Sequence, residues 1–217
     1  MRQRQRKNRV LFVVIFCILL LFMIPFFILI LNTFKTTAEF TRDPFSWPGS
    51  FQLDNYRSAI ATMKFWSAFK NTIIITVSAT LLNTLLASMT GYFFARKKWR
   101  LNSILFMLLL ASMVAPFQVY MIPLVKLYGG MLGMSNRIVT VVYVAAGLNI
   151  PFAVFLYHGF VSGIPGELDE AAKIDGCGFT RTFFEIIFPL LKPIMITVMV
   201  FVALAVWNDY LMTSLFM

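Results

Sequence analysis

Apolar positions in this chain come in long runs, and the polar residues gather between them. Residues 10–31, 73–95, 104–125, 138–159 and 193–215 are five such runs. Each approaches or exceeds the roughly 20 residues a helix needs to cross a bilayer, so five membrane helices are predicted. Between the first two, Asn32–Thr72 is too polar to span and carries Asp43-Pro44 and Trp47-Pro48-Gly49. It reads as an external segment, partly helical around Leu53–Lys70. Lys126–Arg137 is short, contains Gly129, Gly130 and Gly133, and reads as a tight return turn.

Finer patterning separates the runs. Thr76, Thr80, Asn83, Thr84, Ala87, Ser88 and Gly91 recur at helical spacing and give the second run one small, polar face. Such a face serves close helix packing, or it walls a hydrophilic pathway. Pro25, Pro116, Pro123 and Pro151 interrupt the runs, each removing an intrahelical hydrogen bond. Polar groups at depth are few: Gln118, Asn149, and Asn208 with Asp209. With Asn83 and Ser88 they are the candidate pathway-lining residues, because polar groups facing lipid are costly. Asp209 lies between Trp207 and Tyr210 near one end of its run, where an interfacial anchor is the alternative. His158 ends the fourth run, a position suited to a solvated structural role.

Composition agrees with the runs. Of 217 residues, 59% are hydrophobic and 13% charged, against about 25% charged in soluble domains. The net charge of +10 reads as topology rather than nucleic-acid binding. Arg2, Arg4, Arg6, Lys7 and Arg9 precede the first run, which predicts a cytoplasmic N-terminus by the positive-inside rule. Threading from there places twelve basic residues inside and seven outside. A cleaved signal peptide is the alternative for the first run, although its 22 residues exceed an h-region of about 7–15. Cys17 and Cys177, with one histidine, are too few for a disulfide framework or a Cys/His metal site.

The polar stretch 161–192 carries most of the remaining information. Pro165-Gly166-Glu167-Leu168-Asp169-Glu170 opens a helix, with proline near the first position and carboxylates against the positive end of the dipole. Ala171-Ala172-Lys173-Ile174 continues it, and Gly176 or Gly178 can close it. Leu168, Ala171, Ala172 and Asp175 are read as one low-profile side offered to a protein groove. Helices that rest on lipid usually carry Lys and Arg on the polar face, and this one is mainly acidic. Thr182 and Glu185 have capping-box spacing, predicting the start of a second helix.

Glu170-Ala171-Ala172, three residues, Gly176, nine residues, Ile186, one residue and Phe188-Pro189 resemble the E-A-A-x3-G-x9-I-x-L-P loop of ABC importer permeases, with Phe188 replacing leucine. Glu167 to Gly176, Asn55-Tyr56, Phe69-Lys70-Asn71-Thr72, Gly91-Tyr92 with Ala95-Arg96, Ile122-Pro123-Leu124 and Trp207-Asn208-Asp209 are similar to the carbohydrate-uptake, maltose-permease-like branch.

The resemblance implies an all-α, multi-pass plasma-membrane protein, one transmembrane domain over 1–217, that translocates a sugar or oligosaccharide. It implies a coupling helix at 165–176, with Glu167, Glu170, Ala171, Ala172, Asp175 and Gly176 facing a cytoplasmic ATPase dimer. It implies a second, homologous permease subunit and an extracytoplasmic sugar-binding protein as further partners, within membrane lipid. No Gly-Lys dipeptide occurs, so a P-loop is excluded and ATP with Mg belongs to the ATPase. The chain itself is expected to be no enzyme, to bind no cofactor and to bind no nucleic acid. Family members usually have six spans, so the sequence leads to the expectation of a truncated permease. A permease for a non-sugar solute and a non-transporting membrane fragment are the alternatives.

Overall fold

The computed structural model describes residues 2–217, with side chains at residues 8, 9 and from 11 onward. It contains helices and no strand among those residues. Two compact units are distinguished, residues 1–68 and residues 69–217.

The first unit holds α1 (Arg2–Thr33), α2 (Thr37–Arg42) and α3 (Asp54–Thr62). Residues Leu11–Thr33 of α1 are long and apolar enough to cross a membrane, and none of their most apolar window is buried. Pro25 lies inside α1 without ending it. The polar stretch after α1 is a hydrogen-bonded knot rather than an open loop. Lys35 is 1% exposed, and its Nζ donates to the carbonyls of Asp43 at 3.1 Å and Pro44 at 3.0 Å. Buried cations need such partners, since desolvation is otherwise costly. Asn55 Nδ2 donates to the carbonyls of Thr33 and Lys35. Thr36 and Glu39 form a capping box at the start of α2, and Glu39 Oε1 accepts the Gly49 N–H at 3.2 Å. Phe34 packs against Phe51 and Tyr56.

α4 (Phe65–Arg96) and α7 (Ile138–Ser162) are the two other helices that meet the length and hydropathy needed to span. The run expected at 104–125 is α5 (Arg100–Ala111) and α6 (Phe117–Val125), parts of a pair bent by 99° around Pro116. Pro151, by contrast, sits inside an unbroken α7. A π-helical turn over Lys126–Met131 follows α6, in place of a simple glycine turn.

α8 (Glu167–Ile174) and α9 (Phe179–Thr182) follow α7. A π-helical turn over Phe183–Ile187, α10 (Phe188–Leu190), α11 (Lys192–Trp207) and α12 (Leu211–Phe216) complete the chain. Phe179–Leu190 and Lys192–Trp207 are bent by 81°. That bend lies at Leu191, ahead of the run expected at 193–215, which is itself interrupted at Asn208–Tyr210 between α11 and α12. Asn208 Nδ2 adds a second donor to the Leu204 carbonyl, which keeps its backbone bond from the Asn208 N–H, while Asp209 Oδ1 accepts the Met212 N–H freed at the start of α12.

The core of the second unit is made largely of small and β-branched residues. Val141, Ala145 and Ala153 of α7 and Val198 and Val202 of α11 are 0–2% exposed. Val198, Val202 and Val206 repeat every four residues on one stripe of α11, which packs along α7. In lipid such contacts are held by close van der Waals packing rather than by release of water, so small side chains at the interface matter.

Candidate functional site

The polar side of α4 is buried: Thr76, Thr80, Asn83, Thr84, Ala87, Ser88 and Gly91 all face protein. Asn83 Nδ2 donates to the Ala146 carbonyl of α7 at 2.9 Å. At Gly91 the two helices touch backbone to backbone. A Cβ there would stand 2.7 Å from Tyr157 Cβ and 3.0 Å from the His158 nitrogen. His158 is half-buried rather than solvated, stacked on Phe106 with centroids 4.2 Å apart.

One turn further on, α4 meets the loop helix. Tyr92 and Arg96 are four residues apart and therefore share a face. Tyr92 OH donates to Asp169 Oδ1 at 2.5 Å, and Arg96 Nε donates to Asp169 Oδ2 at 2.8 Å. The remaining Arg96 nitrogens donate to the carbonyls of Val161 at 3.3 Å and Ile164 at 3.1 Å. One guanidinium thus binds the end of α7, the connection after it and α8. Phe179 stacks on Tyr92 at 4.6 Å, Phe183 packs beside it at 5.4 Å, and Lys97 Nζ lies 5.3 Å from the Phe179 ring centre. A cleft of about 470 Å³ opens here, lined by residues that include Arg96, Lys97, Glu170, Lys173 and Phe179.

The two ends of α8 are stabilised differently. Glu167, Asp169 and Glu170 occupy its first turn, where the dipole favours anions. At the other end Gly176 has φ +81, a left-handed conformation open to glycine. The Cys177 N–H bonds the Ala172 carbonyl at 2.8 Å and the Gly176 N–H bonds that of Lys173 at 3.1 Å. This is a Schellman closure at Gly176; Gly178, with φ −74, instead precedes α9.

The side assignment of α8 needs a correction. Ala172 is buried, 2% exposed, and lies on the inner side with Asp169, whereas Glu167, Leu168, Glu170, Ala171, Asp175 and Gly176 are exposed. Asp169 and Ala172 are three apart, so the 3.6-residue period places them on one face. The Thr182–Glu185 capping box does not form. Thr182 lies within α9 and donates to the Gly178 carbonyl, while Glu185 pairs with Arg181 at 2.9 Å.

The remaining candidates are scattered. Asn83 and Ser88 are 0% exposed within the packed side of α4. Gln118 is exposed on α6, and Asn149 bonds its own helix at the Ala145 carbonyl. Only Asn208 and Asp209 share a pocket, of about 350 Å³, with Trp207, Tyr210, Thr213 and Thr76. The Thr76 hydroxyl there is buried without a hydrogen-bond partner. Sequence reasoning did not single out Tyr92, Arg96 and Asp169 as a set. Gly91-Tyr92 with Ala95-Arg96 and Glu167 to Gly176 entered only as separate resemblances, and the four-residue spacing of Tyr92 and Arg96 did not point to Asp169. Among the described residues, no group of three or more His, Cys, Asp or Glu could hold a metal ion.

Comparisons with known proteins follow the same lines. A family profile described as "Binding-protein-dependent transport system inner membrane component" matches residues 84–217. The probable starch degradation products transport system permease protein AmyC of Thermoanaerobacterium thermosulfurigenes is 42% identical over 196 residues. That alignment covers 90% of this chain and 71% of the relative. The melibiose/raffinose/stachyose import permease protein MelC of Bacillus subtilis is 36% identical, over 86% of this chain and 67% of the relative. In fold, the chain matches a crystal structure of a bacterial ABC transporter involved in the import of the acidic polysaccharide alginate. The TM-score is 0.81 at 18% identity, covering 100% of this chain and 76% of that one.

Proposed function

Because this chain belongs to the family of inner-membrane components of binding-protein-dependent transport systems, we propose that it is the permease subunit of an ABC importer for a sugar or oligosaccharide. In this reading α8 and its Gly176 closure form the element that a separate cytoplasmic ATPase dimer engages. ATP and Mg are handled there, a second homologous permease completes the pathway, and an extracytoplasmic binding protein delivers the sugar. The observation that carries the reading is the construction of α8. It is a short helix with an acidic first turn and a glycine closure at Gly176, with Glu167, Glu170, Ala171, Asp175 and Gly176 turned outward while its inner side is fastened to α4.

That arrangement suits a docking element. A helix ordered before its partner arrives loses little further conformational entropy on binding. Small residues beside carboxylates fit a groove that carries complementary positive charge. The relatives named for starch products and for melibiose, raffinose and stachyose support a carbohydrate as the solute. The pocket at the break between α11 and α12 supports it chemically, since an indole, an amide, a carboxylate and hydroxyls are what a polyhydroxylated ring requires. We assign Asn208 and Asp209 to the sugar route.

The test is co-purification of the chain with its ATPase and second permease, comparing Glu170→Ala and Gly176→Pro with the unaltered protein. Either substitution is expected to reduce recovery of the ATPase. Each should also lower ATP hydrolysis stimulated by binding protein loaded from a starch digest or with raffinose. If both leave assembly and stimulated hydrolysis intact, α8 is not the ATPase contact.

A further inference from the structure

We infer that Asp169 is a positioning residue: from the inner side of α8 it ties that helix to Tyr92 and Arg96, so that displacement of α8 is carried into α4. The inference rests on the reading of α8 as the ATPase-engaged element and adds how its movement leaves the loop.

Asp169 is surrounded by carboxylates that face outward, yet it accepts from two donors on another helix, 77 and 73 residues away in the chain. Its side chain is 21% exposed and that of Arg96 16%, so the pair is largely withdrawn from water. A charge-assisted, two-donor contact in such a setting is stiffer and more directional than a surface ion pair. Arg96 extends the tie, because the same guanidinium holds the Val161 and Ile164 carbonyls. A push on α8 therefore cannot be absorbed by the connection from α7 while Arg96 stays in place. It must move the end of α4. One turn away, Gly91 lies with no side chain between α4 and Tyr157 of α7, so the end of α4 pivots against a hard contact.

The experiment reconstitutes the whole importer in proteoliposomes and measures three things for each variant: recovery of the ATPase subunit, ATP hydrolysis, and uptake of labelled raffinose or starch-digest oligosaccharide. Asp169→Asn keeps the shape and removes the charge. It should leave ATPase recovery unchanged and lower sugar taken up per ATP hydrolysed by about tenfold, on the order of one charge-assisted hydrogen bond. Arg96→Gln should fall comparably, and the double variant no further than the worse single one, because two groups acting through one contact do not add. A merely structural role would reduce the amount of complex without changing sugar per ATP. Tyr92→Phe, which deletes one hydroxyl, decides the matter if Asp169→Asn does not accumulate: a lowered ratio with normal assembly supports the tie.

An unchanged ratio in the variant that decides the matter overturns the inference. So does loss of ATPase recovery in Asp169→Asn, which would make Asp169 a docking residue. Glu170→Ala is measured alongside. If it leaves recovery and stimulated hydrolysis intact while Asp169→Asn lowers the ratio, the docking assignment has failed and not the tie.

Discussion

Gly91→Ala adds one methyl group at the point where α4 and α7 come closest, and the structure sets the size of the effect. The new Cβ would lie 2.7 Å from Tyr157 Cβ and 3.0 Å from the His158 nitrogen. Non-bonded carbons settle at about 3.5–4.0 Å, so the helices must separate by roughly 1 Å. Neither neighbouring atom is the end of a flexible side chain; both are fixed to the α7 backbone. Overpacking of this kind costs about 1–3 kcal/mol. Against this stands the gain from replacing a helical glycine, about 0.5–1 kcal/mol. The net expectation is a loss of up to about 2.5 kcal/mol, centred near about 1 kcal/mol. Gly147 and Gly159 of α7 are the controls, since a Cβ at either meets nothing within 4 Å; alanine there should stabilise by about 0.5–1 kcal/mol. Reversible unfolding of the purified chain by SDS titration in mixed micelles, followed by tryptophan fluorescence, compares all three. If Gly91→Ala lies within about 0.5 kcal/mol of Gly159→Ala, the close crossing is wrong; that margin is the usual scatter for neutral substitutions.

Asn83→Leu removes the interhelical bond to Ala146 and should cost about 0.6–1.7 kcal/mol in the same titration. Asn149→Leu, losing a bond within its own helix, should cost less. Gly176→Ala forces a side chain into φ +81 and should cost about 1–3 kcal/mol, read as faster hydrogen exchange across α8. Gly178→Ala, at φ −74, should leave exchange unchanged. Glu39 is held below the ordinary glutamate value chiefly by the Thr36 backbone N–H, opposed by its own desolvation. A carboxyl depressed in the folded state stabilises fully above its unfolded value near 4.5 and loses that contribution as pH falls through the folded one. Protease resistance of residues 33–56 should therefore hold from neutral pH down to about 5 and fall below about 4, and Glu39→Gln should flatten that profile.

The transmembrane runs were legible because hydropathy over some 20 residues is a local property, and α1 and α7 follow it closely, whereas α4 starts at Phe65, eight residues ahead of the apolar run and within the segment read as external. Breaks were less so. Four prolines interrupt apolar runs, yet only Pro116 lies at a sharp bend, whereas Pro151 is carried inside α7. At Pro116 the backbone turns extended, with Ala115 at ψ 118 and Pro116 at ψ 143, whereas Pro25 and Pro123 are carried inside α1 and α6. Asn208–Asp209 marked a polar point in the last run, but not that its side chains would cap a new helix.

The loop shows where local rules end. Its helix start, acidic first turn and glycine closure followed from residues within ten positions of one another, and only φ separated Gly176 from Gly178. Which side of α8 faces inward did not follow, because the deciding donors, Tyr92 and Arg96, stand more than 70 residues earlier. Hydropathy assigns an aspartate to solvent, and four carboxylates within Glu167–Asp175 give it no reason to choose one. The thermodynamic choice is made by Arg96. A guanidinium at the end of an apolar helix can rest in water, or it can exchange water for one carboxylate and two or more carbonyls in fixed geometry. Once Asp169 is taken, the 100° step of the helix turns Ala172 inward and leaves Glu170, Ala171 and Gly176 outside. The inward side of α8 is thus chosen by a contact on the side opposite its exposed carboxylates, which no rule confined to the loop's own residues could have picked out.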